Sequence, residues 1–100
     1  MFGYNVKEVT DAMTTISSLS GATTIAPSAG ADIVFVQANT QNVRIDPTGT
    51  TPTATVGMRL AAGSFVPIGV GYGVTIKVIE EAASASVNWY SISVKRDANT

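Results

Sequence analysis

Neither cysteine nor histidine occurs among the 100 residues. Without cysteine, no disulfide or thiolate zinc site can hold the fold, and nothing points to an oxidising compartment. With histidine also missing, the commonest general base, the commonest metal ligand and the strongest nucleophile are gone together. Charge is scarce as well: 13% of residues are charged, against roughly 25% in an average soluble domain, while 45% are hydrophobic. The surface of a free monomer takes about 25–35% charged residues. The shortfall predicts that part of the surface is covered, by copies of the chain or by a larger assembly. The abundant Ser, Thr, Asn and Gln offer the competing explanation, a surface wetted without charge.

The net charge of −1 and the scatter of the basic residues (Lys7, Arg44, Arg59, Lys77, Lys95 and Arg96) leave no footprint for a polyanion, so nucleic acid is not an expected partner. The first eleven residues hold Glu8 and Asp11 and lack an apolar run behind a basic start, which argues against a secretory signal peptide. The longest uncharged stretch, Leu60 to Ile76, is interrupted by Pro67 and by glycines at 63, 69, 71 and 73. It reads as strand and turn, and no membrane is expected as a partner.

From Asp32 to Val94 short β-branched runs alternate with turn residues, the pattern of a sandwich or barrel. Ile33-Val34-Phe35-Val36 is apolar on both faces and reads as a strand buried from either side. Val43-Arg44-Ile45 puts Val43 and Ile45 on the core face. Pro47 and Pro52 make Asp46 to Thr53 a loop. Val56 to Leu60 and Phe65 to Val70 follow as strands, the second at an edge because of Pro67. Val74 to Glu80 alternates with Val74, Ile76 and Val78 inward. Val87 to Val94 places Tyr90, Ile92 and Val94 on one face and Trp89 on the other, unless a bulge shifts the phase.

The beginning of the chain is ambiguous. Val6, Val9, Met13, Ile16 and Leu19 fall at helical spacing, but the Thr and Ser residues between them are poor helix formers. One short helix fits; so do strands at Thr14 to Leu19 and Thr23 to Ala26, which the β character of the remainder favours, with Met1 to Thr10 as an arm. The expected fold is all-β: a single small β-sandwich, jelly-roll-like, of about seven or eight strands with an N-terminal arm. A small β-barrel is the alternative. Residues 1–30 supply the arm and first strands, and residues 31–100 the body.

Little here can carry chemistry. Glu80 and Glu81 are adjacent, but neighbours on a strand point to opposite faces and cannot present two carboxylates to one substrate. No enzyme, no cofactor and no small-molecule substrate is expected. Asp46-Pro47-Thr48-Gly49-Thr50 faintly suggests a calcium loop; with one carboxylate it fits better as a turn in which Asp46 bonds nearby N–H groups. The glycines of Gly69-Val70-Gly71-Tyr72-Gly73 permit a sharp bend or the close approach of another chain, with Tyr72 displayed between them. Trp89 and Tyr72 raise the possibility of sugar stacking; for Trp89 a core or subunit contact is the stronger reading.

The block from Val43 through Arg44-Ile45-Asp46-Pro47-Thr48-Gly49-Thr50-Thr51-Pro52-Thr53-Ala54 to Gly57-Met58-Arg59-Leu60-Ala61-Ala62-Gly63 resembles a segment of small structural proteins of tailed bacteriophages. Ile76-Lys77-Val78-Ile79-Glu80 and Val87-Asn88-Trp89-Tyr90 occupy the later strand positions of that pattern. The sequence departs from it by Pro47-Thr48 before Gly49 and by a longer N-terminal region. The resemblance implies a virion component, foremost a capsid decoration (cement) protein stabilising the head, with localisation in the virion. The implied partners are the major capsid protein and copies of the chain itself, as a homotrimer or another homo-oligomer. A neck or tail accessory subunit and a sugar- or receptor-binding module on a fibre or spike are the alternatives. The expected contact residues are Phe2, Tyr4, Phe65, Tyr72 and Trp89.

Overall fold

The computed structural model describes residues 5–71 and 75–96. Among them eight strands run in chain order: β1 (Asn5–Ile16), β2 (Thr23–Ile25), β3 (Ile33–Ala38), β4 (Val43–Asp46), β5 (Met58–Leu60), β6 (Phe65–Gly69), β7 (Ile76–Glu80) and β8 (Val87–Arg96). They form two four-stranded antiparallel sheets, sheet A in the order β1-β8-β3-β6 and sheet B in the order β2-β7-β4-β5. Pairing is nested, first strand with last, second with seventh, third with sixth, fourth with fifth. One long hairpin is thus rolled up until β8 meets β3 and β7 meets β4, which is a jelly roll.

Alternation builds the core. Val34, Val36 and Ala38 of β3, Val43 and Ile45 of β4, Ile76 and Val78 of β7, and Val87 and Trp89 of β8 are all buried between the sheets. Ile25, Leu60 and Ile68 complete the cluster from the edge strands, and Leu19 plugs it from the β1–β2 connection. The described residues between Leu60 and Ile76 lie in strand and loop, as the glycines and Pro67 there require.

Three expectations need correction. Residues 5–10, read as part of an arm, belong to β1 and pair with β8 from Asn5↔Arg96 onward. The helical spacing of Val9, Met13 and Ile16 makes no helix: all three lie on β1, Val9 and Met13 on the outer side and Ile16, opposite Val87, against the core. Two register shifts let Val9 to Ile16 take seven steps where the partner segment Ile92 to Val87 takes five. Each extra residue flips the face of those that follow. Finally, β3 is buried by this chain on one side alone. Val34 and Val36 face the core, whereas Ile33 and Phe35 sit half-buried on the outside of sheet A.

Beyond Ile92, where β3 begins its pairing, β1 and β8 continue as a two-stranded ribbon. Asp32 terminates the third strand there: its backbone N–H donates to Ile92 O at 2.8 Å and its carboxylate accepts the Val94 N–H at 2.6 Å. That carboxylate supplies an acceptor where the ladder stops.

Candidate assembly surface

The two outer faces differ in chemistry. On sheet B, Arg44 and Arg59 stand directly opposite one another on β4 and β5, and Glu81 accepts from Arg44 Nε at 2.7 Å and forms an ion pair with Arg59, 3.1 Å from its Nε. The Arg44 guanidinium also donates to Gly57 O at 3.0 Å. Asp46 and Lys77 pair across β4 and β7. Asp46 accepts from the N–H and hydroxyl of Thr48 at 2.7 and 2.5 Å, the turn anticipated for that loop. This side is polar and locally satisfied.

On sheet A, β3, β6 and residues 87–92 of β8 hold no charged residue. Register places Ile33, Val9 and Ile92 in one row, Phe35, Tyr90 and Pro67 in the next, and Gln37, Asn88 and Phe65 in a third, all on the outer side. Phe35 and Tyr90 stack with ring centroids 4.8 Å apart and planes 14° from parallel. Beside them runs an open groove of about 460 Å³, walled by Met13, Phe65, Gln37 and Asn88. Val9, Met13 and Phe65 are 67%, 63% and 64% exposed. The amide of Asn88 is tied down, accepting from Thr15 Oγ1 at 2.7 Å and donating to Asn39 Oδ1 at 2.9 Å. The face is therefore apolar with pre-set polar margins, suited to packing and not to proton transfer.

Of the residues expected to make contacts, Phe65 lies on this face at the edge strand β6. Trp89 is 7% exposed and faces the core opposite Val36. Its indole N–H is buried without a hydrogen-bond partner among the described residues. Phe2, Tyr4 and Tyr72 lie outside the described residues. Reasoning from sequence passed over Phe35, Tyr90 and Met13. The signal was present in Ile33-Val34-Phe35-Val36, whose second apolar face this chain leaves uncovered.

A polar cluster anchors β1 to the body. The Asp11 carboxylate accepts from Ser28 N at 2.8 Å, Ser28 Oγ at 2.6 Å and Ser91 Oγ at 2.5 Å, and Ser91, fully buried, also meets Thr10 Oγ1 at 2.6 Å. The Ser28 hydroxyl above all, then the Ser91 hydroxyl and the Ser28 N–H, hold the Asp11 carboxyl below its ordinary value. Both carboxylate oxygens are thus used in pinning one strand. Among the described residues no group of three or more acidic side chains gathers as a metal site.

No family model matches the chain, and no curated protein matches it in sequence. A solved structure does match, a protein of Bacillus endospore appendages, described as forming a novel family of disulfide-linked pili. It aligns over 94% of this chain and 88% of its own at 20% identity, with a TM-score of 0.51. The two share a fold. The neighbour is an appendage protein and not a phage protein, so the expected kinship with tailed-phage decoration proteins gains no support from it.

Proposed function

We propose that this chain is a non-enzymatic structural subunit, used in many copies within a larger assembly. The observation that carries the reading is the uncharged part of the outer face of sheet A, made by β3, β6 and residues 87–92 of β8, where Phe65, with Val9 and Met13 of the neighbouring β1, stands exposed around the Phe35–Tyr90 stack. Burying apolar area stabilises by about 25 cal/mol per Å², and a lattice or filament multiplies such contacts. The fold neighbour comes from a disulfide-linked pilus; with no cysteine in the 100 residues, copies of this chain associate by packing alone.

Two posts are open to such a subunit. Capsid decoration, with the major capsid protein as partner, rests on the strand-and-loop block from Val43 to Gly63. A self-assembled appendage rests on the fold neighbour. Electron microscopy of concentrated purified protein, alone and mixed with phage capsids, separates them: filaments or sheets from the protein alone favour the appendage, decorated shells the cement. A protein that stays monomeric at millimolar concentration and joins neither kind of assembly refutes the structural reading.

A further inference from the structure

We infer that a second copy of this chain covers the groove on the outer face of sheet A, the Phe65 ring of each copy packing over Met13 of the other. This rests on the structural-subunit reading above and names the surface through which it acts. In the order β1-β8-β3-β6, Met13 and Phe65 stand on the two edge strands, and the stacked Tyr90 and Phe35 stand on the two central ones. A two-fold axis along the strands, between β8 and β3, turns one copy face to face with the other and exchanges the edges. Phe65 then lies opposite Met13 on both sides, thioether against aromatic ring, and the two Phe35–Tyr90 stacks meet at the centre. Aligned sheets pack in this way about 10 Å apart.

The chemistry of the face selects the occupant. A charged partner surface is desolvated there without finding a counter-charge, whereas a second copy brings an equally uncharged stretch of β3, β6 and β8. Its size sets the strength. Four strands about 4.8 Å apart and some five residues at about 3.3 Å each make a flat patch of roughly 320 Å² per copy. A stable pair buries about 800 Å² per partner. The contact is thus weak in isolation and becomes effective when repeated in an assembly.

The test uses the full chain, in which introduced cysteines are the sole thiols. Phe65→Cys and Met13→Cys proteins are mixed and oxidised, and sedimentation equilibrium is run on the wild type, on Phe65→Glu, and on Thr24→Glu, which alters the opposite sheet. The expected result is a 13–65 disulfide in excess over 13–13 and 65–65. Self-association is expected to fall at least tenfold in Phe65→Glu and to stay unchanged in Thr24→Glu, with circular dichroism confirming that both variants fold. Self-association that survives Phe65→Glu, with no 13–65 disulfide, overturns this inference and leaves the structural reading standing. Absence of any self-association overturns this inference, and the structural reading with it only where the protein also fails to coat phage capsids; a monomer whose groove binds neutral glycans on an array and loses them on Tyr90→Ala overturns both.

Discussion

Two substitutions at Trp89 separate the contribution of its bulk from that of its N–H. The side chain sits at the middle of β8, inward, opposite Val36 on β3 and Thr14 on β1, and is 7% exposed. Truncation to alanine gives up the burial and leaves a cavity between the sheets, a loss of about 3–5 kcal/mol. Trp89→Phe removes roughly 40 Å² of ring, about 1 kcal/mol at 25 cal/mol per Å², and somewhat more with imperfect repacking. It also deletes a buried N–H that has no partner among the described residues, a group whose unmade hydrogen bond costs about 1–3 kcal/mol. The two effects nearly cancel, so Trp89→Phe is expected within about 1 kcal/mol of wild type. Urea unfolding of dilute protein, followed by far-UV circular dichroism because the chain has one tryptophan, measures both. At a slope of about 1–2 kcal/mol per M, the alanine variant moves the midpoint by at least about 1.5 M and the phenylalanine variant by less than about 1 M. A Trp89→Phe loss approaching that of Trp89→Ala refutes the reasoning, since the indole N–H then has a partner or the core has no tolerance for the smaller ring.

Acid weakens the fold through Asp11 and Asp46, both held below the ordinary 3.8 by hydroxyl and N–H donors of Ser28, Ser91 and Thr48. Because these folded-state values are depressed, their stabilisation is present above 3.8 and is lost as pH falls through the lower folded values; melting temperatures are expected level from pH 7 to about 5 and falling below about 4, less steeply in Asp11→Asn. Gly57 has φ +127°, and a Cβ there would lie 3.2 Å from Pro52 Cβ and 3.3 Å from Arg44 Cβ. Gly57→Ala should cost about 1–3 kcal/mol in denaturant titration, while Gly21→Ala, with open space and no positive φ, should be neutral or stabilising by under about 1 kcal/mol. Glu81→Ala leaves Arg44 and Arg59 face to face; a loss of about 1 kcal/mol, reduced in about 1 M salt, is expected in the same assay.

The body of the sandwich was legible where alternation is unbroken. Val43-Arg44-Ile45 and the Ile76 and Val78 positions followed from period and stand as expected, and the edge role read for Phe65 to Val70 from Pro67 holds for β6, which ends one residue sooner at Gly69. At β1 the alternation is broken, because two inserted residues between Val9 and Thr14 shift the phase of the strand, and Val9, Met13 and Ile16, for all their helical spacing, do not share one face. No propensity scale registers a bulge that exists through the partner strand. The phase of β8 was hidden for a different reason. Both of its faces carry large apolar groups, Trp89 on one and Tyr90 with Ile92 on the other, and register against Val34 and Val36 decides which turns inward. The candidate surface inherits that difficulty: Phe35 and Tyr90 look like core until the topology leaves their side of the sheet open.

The position of β8 in sheet A has a consequence for how the chain reaches its folded state. It is the last in sequence of the described strands, yet it stands between β1 and β3, and without it those two share no ladder. Sheet A cannot close during synthesis: β1 must remain unpaired while about seventy residues are made, since its partner begins at Val87. Pairings of such sequence separation carry a large loop-closure cost and form slowly. Through that interval the apolar edge of β3 is open to other nascent copies, so yield on expression is governed by how soon the final strand arrives as much as by how stable the finished sandwich is.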